Sequence, residues 1–319
     1  MLRTILTQLI RQQATQQASE VLREKASEAA RGEAPNFQET IEAVRAAAED
    51  VRSQVAGEGQ PFAEEQPKAV YPPEFGFVFA LGVESGGFED LMSDTSKIQG
   101  HGYKAKLGLF GGHSAALQLC GAGRERAARA TKLLIETHKP QWIFSVGFAG
   151  GLTSQLRQND IVMVQRVVRE DGSSISLPLN VDPASLDAAP GIHAGTLVTV
   201  DRIVHRPEEK KKLSVKSEAM AVDMETWGVA EACQQLDKKL FAVRVILDTV
   251  DERLSPDLEP LLDASSRSGL VRKAGVVTGT LMRRPSTLKD LYRLKERAIV
   301  ASDRLARFLS SMIEQFPTS

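Results

Sequence analysis

The sequence predicts an α/β fold, a sheet packed between helices, and three observations carry that expectation. Apolar runs of strand length alternate with helical patterns from Pro73 to Ser319. Leu240 to Leu247 is apolar apart from Arg244, the pattern of a strand buried on both faces. Two runs stop at carboxylates, Ala219–Val222 at Asp223 and Leu240–Leu247 at Asp248. Asp248 thereby falls at the carboxyl end of a central strand, where open α/β sheets place their ligands.

Taken in order, Phe75–Leu81 is the opening strand, and Glu84 follows it in the position of a helix first-turn acid. Lys104–Phe110 and Ala115–Cys120 are two more strands, separated by Gly111 and Gly112. Gly121-Ala122-Gly123 turns the chain into a helix with Ala127, Ala130 and Leu134 on one side. Such a turn offers backbone N–H groups to an anion and equally serves a tight corner. Trp142–Gly147, Asp160–Val168 and Ile192–Val200 read as strands, with a polar loop over Glu170–Pro190. After Asp223, residues Val229, Cys233 and Leu236 share a helix face, so Asp223 is the expected N-cap and Glu225 a first-turn acid. Leu254–Leu262 reads as loop and Gly269–Met282 as helix. Leu305, Phe308, Leu309, Met312, Ile313 and Phe316 form the stripe of a final amphipathic helix.

Residues 1–70 differ in character. Leu2, Ile5, Leu6, Leu9 and Ile10 make one apolar helix face, Ile41 to Val55 carries a short heptad-like stripe, and Gly57–Pro73 reads as a linker. The expected organisation is a helical extension over 1–70 and one domain over 71–319.

Composition narrows the function classes. A net charge of −1 gives no basic surface for nucleic acid, and no apolar stretch reaches the length of a membrane span. The two cysteines, Cys120 and Cys233, and the five histidines form no metal-ligand spacing. The cysteines read as small buried apolar residues, which fits a reducing compartment, so a cytoplasmic chain with no metal and no cofactor is expected.

Several segments resemble one family. Val222-Asp223-Met224-Glu225 is similar to the Val-Glu-Met-Glu signature of the purine nucleoside phosphorylase and nucleosidase superfamily. Val243 to Asp251 resembles its Val-Arg-x-Ile-Ser-Asp-x-x-Asp segment, and Ala80-Leu81-Gly82-Val83-Glu84 its Ala-Met-Glu-Glu-Glu. Val146-Gly147-Phe148-Ala149-Gly150-Gly151-Leu152 resembles Thr-Gly-Ser-Ala-Gly-Gly-Leu, and Asp201-Arg202-Ile203-Val204 resembles Asp-x-Phe-Ile. The branch most similar is that of the methylthioadenosine/S-adenosylhomocysteine nucleosidases. Around Arg283-Arg284-Pro285 the chain also looks like the hopanoid-associated nucleoside phosphorylase-like proteins.

The resemblance implies a three-layer sandwich around a mixed, twisted sheet, a small nucleoside as substrate, and a homodimer. It implies Asp248 as the acid that protonates the leaving purine and Glu84 as the carboxylate that activates water. It implies substrate binding by Asp223, Met224, Glu225, Gly123, Gly147, Phe148 and Ala149, with Glu225 at the ribose hydroxyls and Met224 on the sugar face. Ile203 stands where an aromatic stacks on the purine, and Val204 where the base is read through the backbone. Burial among Val245, Ile246, Leu247 and Val250 favours a protonated Asp248. Ser145 and Phe148 replace the arginine and hydroxyl with which related phosphorylases hold phosphate, which favours water as nucleophile. Phosphorolysis, aided by Arg124 or Arg126, and an inactive nucleoside-binding or assembly module are the alternatives. Singly, the acids also suit caps and strand ends; the ordered recurrence of five segments favours the enzyme.

Overall fold

A computed structural model describes residues 72–100, 103–179, 189–254 and 285–316. The expected extension over 1–70, the helix over 269–282 and the turn at 283–284 lie outside the described residues. Among the described residues ten strands form one mixed sheet. In chain order they are β1 (Phe75–Phe79), β2 (Ser93–Gly100), β3 (Tyr103–Phe110), β4 (His113–Leu119), β5 (Trp142–Gly151), β6 (Ile161–Arg169), β7 (Ser174–Ser176), β8 (Ile192–Thr199), β9 (Ala221–Asp223) and β10 (Lys239–Asp248). The helices are α1 (Gly82–Leu91), α2 (Arg124–His138), α3 (Pro207–Ser217), α4 (Thr226–Gln235) and α5 (Pro285–Ile313).

The path through the sheet runs β10-β6-β8-β9-β5-β1-β4-β3-β2, and β10 also pairs with β5. That extra pairing closes β5, β9, β8, β6 and β10 into a ring, while β1, β4, β3 and β2 continue as an open sheet. β10 runs parallel to β5 and antiparallel to β6, which makes it the central strand the apolar run predicts.

Period-two alternation distributes the core. On β1, Phe75, Phe77 and Phe79 point to the layer containing α1 and α5, together with Phe88, Leu305 and Leu309. Val78, between them, joins Leu134, Val229 and Cys233 in the layer of α2 and α4. Helices on both faces of a mixed sheet are the expected α/β sandwich. Phe144 centres the first layer, stacked on Phe77 at 4.9 Å between ring centroids and on Phe241 at 5.3 Å. It also meets Phe75 edge-on at 5.6 Å.

Two strands and two helices depart from expectation. β2 is polar in sequence and pairs only with β3 at the sheet edge, so burial imposes no pattern on it. β7 lies within the stretch read as loop and adds to β6. α3 carries three consecutive lysines and buries only Lys210 and Leu213, so it shows no apolar stripe. The helix expected after Asp223 begins at Thr226, with Glu225 as N-cap rather than first-turn residue.

Phe144→Ala empties the centre of an aromatic layer. It should cost about 3–5 kcal/mol in a denaturant titration. Val215→Ala, at a site 84% exposed, should stay within about 0.5 kcal/mol.

Candidate active site

The carboxyl ends of β1, β5, β9 and β10 converge on one cleft of about 970 Å³. Glu84, Asp223, Glu225 and Asp248 all line it. Phe148, Ala149, Ile203, Val204 and Met224, expected at the substrate, line it too.

Glu84 sits in the first turn of α1 and is buried. Its Oε2 accepts the N–H groups of Ala80 (2.9 Å) and Leu81 (2.8 Å), and its Oε1 accepts that of Phe148 (2.9 Å). The acid therefore also ties the end of β1 to β5, reaching back over its own helix start as a first-turn glutamate does. Oε2 takes two donors and Oε1 one, which leaves Oε1 a lone pair for a further proton donor. Burial pushes the Glu84 pKa up, against the pull of those N–H groups and of Arg244. Gly147 does not itself line the cleft; its bare Cα admits Glu84, because a Cβ there would meet Oε1 at 2.8 Å. From α5, Ser302 fixes the helix that carries the acid. Its hydroxyl donates to the Glu84 carbonyl (2.9 Å) and accepts from the Gly87 N–H (2.9 Å).

Behind the cleft lies Arg244, 2% exposed in the middle of β10. Its Nε and Nη2 donate to Asp223 Oδ2 at 3.1 and 2.9 Å. Nη1 donates to the carbonyl of Ser145 (2.8 Å), and Nη2 to the Ser145 hydroxyl (2.8 Å). Ser145, at the position of a phosphorylase arginine, thus serves an internal guanidinium. Asp223 Oδ1 accepts the Thr199 hydroxyl (2.7 Å), and Oδ2 accepts the N–H (2.9 Å) and hydroxyl (2.5 Å) of Thr226. The Asp223 side chain is 1% exposed, and its carboxylate is engaged by protein partners. It caps α4 from three residues before Thr226.

Glu225 follows from that anchoring. Its Oε1 accepts the Gly123 N–H at 2.7 Å and its Oε2 the Met224 N–H at 3.3 Å. Gly123, at φ 105°, takes a conformation that L side chains rarely adopt, and its N–H serves Glu225. Burial, with the nearby carboxylates of Asp223 and Glu84, pushes the Glu225 pKa up to about 8. The same burial, with Glu225 and Glu84 close by, holds the Cys120 thiol well above its ordinary range, which makes it an unreactive lining residue.

Asp248 ends β10 and is 5% exposed. Burial raises its pKa, as the apolar run predicts, but a cation absent from that expectation opposes the rise: Lys210 of α3 pairs with Oδ2. Nothing in the residue pattern singles out this lysine within the run Lys210-Lys211-Lys212. Leu254, Lys295 and Ala298 were also missed as lining residues.

Two predictions follow from this geometry. Arg244→Met strands Asp223 in the interior and should destabilise the fold by about 3–5 kcal/mol by denaturant titration. For Glu225, the folded protein keeps a proton that the unfolded chain releases above about pH 4.5. Its contribution to stability is whole below that value and is lost as pH rises through about 8. Wild-type stability should therefore fall more steeply than that of Glu225→Gln between those limits; parallel pH profiles would contradict the assignment.

Comparison with known proteins places the chain. The family described as the Phosphorylase superfamily matches residues 74–274. The 5'-methylthioadenosine/S-adenosylhomocysteine nucleosidase of Geobacillus thermodenitrificans is 26% identical over 210 residues, 59% of this chain and 89% of the relative. That of Haemophilus ducreyi is 28% identical over 202 residues, 56% and 86% of the two chains. Among solved structures, the Helicobacter pylori nucleosidase of the same name aligns with a TM-score of 0.59 at 19% identity, over 77% of this chain and 100% of that one. The Streptococcus pyogenes S-adenosylhomocysteine nucleosidase aligns at 0.58 and 20%, over 77% and 98%. The fold is thus shared with these nucleosidases, and with a family match over more than half its length the chain belongs to the phosphorylase superfamily.

Proposed function

We propose that the protein hydrolyses the N-ribosidic bond of an adenine nucleoside such as 5'-methylthioadenosine or S-adenosylhomocysteine, releasing adenine. The observation that carries this reading is the environment of Glu84. It occupies the wall formed by Gly147 and Phe148, where a phosphorylase of this superfamily needs positive charge, and it presents an oxygen with a free lone pair. A buried carboxylate repels phosphate and accepts a proton from water. The nearest buried guanidinium, Arg244, is committed to Asp223 and Ser145. The curated relatives' names support the same substrates.

In this reading Asp248 protonates the purine as the bond to the sugar breaks, and Glu225 accepts hydrogen bonds from the ribose hydroxyls. Once ionised, Glu225 also faces the positive charge that develops on the sugar. Met224 packs on the sugar, and Ile203 offers the base an apolar contact in place of a stacked ring. Glu84 takes the proton of the attacking water. Asp223 and Gly123 act one step back, by holding Glu225. A homodimer, a cytoplasmic site of action and an extension over 1–70 separate from the catalytic domain belong to the same reading.

Adenine and a free thioribose sugar should form from 5'-methylthioadenosine in phosphate-free buffer. Asp248→Asn should lower turnover by about a hundredfold or more. Strict dependence on added phosphate, with a sugar 1-phosphate as product, would favour phosphorolysis. No cleavage of any adenine nucleoside would favour a binding module.

A further inference from the structure

Lys210 is the only member of the run Lys210-Lys211-Lys212 that leaves the surface: it is 0% exposed, whereas the Lys211 side chain is 60% exposed and paired with Asp251. Its Nζ has three protons to place, and three acceptors receive them. They are Asp248 Oδ2, the Thr249 carbonyl at 2.7 Å and the Glu252 carbonyl at 2.9 Å. The ammonium is therefore held by the turn that follows β10 as well as by the acid. Lys210 does not line the cleft, whereas Asp248 does, so the cation stands behind the carboxylate, on the side away from substrate. Burying an ammonium is costly, and an apolar residue such as Leu213 on the same helix would fill the space without that cost.

We propose that Lys210 is a positioning residue for the purine-directed acid: it fixes Asp248 through Oδ2, turns the other oxygen to the leaving base, and stabilises the carboxylate that proton transfer leaves behind. The inference rests on the nucleosidase reading. In the step, the electron pair of the C1'–N9 bond moves into the purine, and the Asp248 proton passes to the base nitrogen. Asp248 is left as a carboxylate beside an ammonium that keeps all three protons. A lone buried carboxylic acid would instead leave an uncompensated charge in a poorly hydrated site and would be the weaker acid.

Of the other charged groups around Asp248, Arg297 alone acts in the same direction, and more weakly than Lys210. Glu252, in the turn after β10, opposes this compensation, and Arg297 of α5 is engaged by Glu252. Lys211 is turned to Asp251 at the surface. Lys210 is the cation in direct contact with the acid.

The test is the pH profile of adenine release from 5'-methylthioadenosine by wild type, Lys210→Met and Lys210→Arg. The acid must be protonated to act, so activity falls as pH rises through its pKa. Removing the cation in Lys210→Met should move that falling limb upward by about one pH unit. It should also lower kcat by about tenfold, less than the loss of the acid itself. Lys210→Arg, which keeps the charge, should keep the wild-type limb. An unmoved limb in an active Lys210→Met enzyme would reduce the lysine to a structural residue and overturn the proposal. No cleavage by wild type at any pH would refute the nucleosidase reading itself, and the proposal with it. Should the Met variant fail to fold, Lys210→Gln, which also removes the charge, decides by the same profile: a raised limb is expected, and an unmoved limb overturns the proposal.

Discussion

The structure depends on a buried ion pair, Arg244 with Asp223, both nearly inaccessible. Through the guanidinium, β10 is fastened to Ser145 of β5 and to Asp223 at the end of β9. Through the carboxylate, β9 is fastened to Thr199 at the end of β8 and to Thr226 at the start of α4. A pair this deep contributes little net stability, because desolvation offsets attraction, but either partner alone is costly. Its effect is to exclude other registers. Slipping any one of these strands would strand a charge in the interior. The ring of strands is thereby locked at the end where the cleft opens. Glu225, between Asp223 and Thr226, has no freedom of its own.

Given that frame, three carboxylates of similar intrinsic acidity are set apart by their neighbours. Glu84 is surrounded by backbone N–H donors at a helix start, Glu225 by one strong donor and two other acids, and Asp248 by an ammonium. Burial raises all three, so the difference lies in what opposes it. Distinct environments for chemically similar acids are what the division of base, sugar-binding and acid roles in the proposed function requires.

Much of this was legible in the residues. The apolar run over β10 marked a central strand, and the acids at strand ends marked the cleft, because period and burial write themselves into composition. Glu84 shows the limit: as a first-turn acid it looked structural and as a family position catalytic, and its carboxylate both holds backbone N–H groups and lines the cleft. Asp223 was expected at the substrate; its hydrogen-bond partners come from positions 199, 226 and 244, separations that no local pattern records. Lys210 was illegible for a related reason. Three lysines in a row read as a solvated face, and only the turn after β10, forty residues on, shows which of them is buried. The polar edge strand β2 escaped because an edge paired on one side carries no burial pattern.

The central claim is that this locked cleft holds an adenine nucleoside with each acid at a different part of it. A crystal structure with a non-hydrolysable adenine nucleoside analogue tests that claim most directly. The account predicts Asp248 within about 3 Å of the purine nitrogen that receives the proton, Glu225 at the ribose hydroxyls, and Glu84 across the sugar with a water between. Asp223 should remain on Arg244, out of reach of the ligand. A ligand bound with Asp223 on its ribose, or with Glu84 and Asp248 on the same side of the sugar, would contradict it.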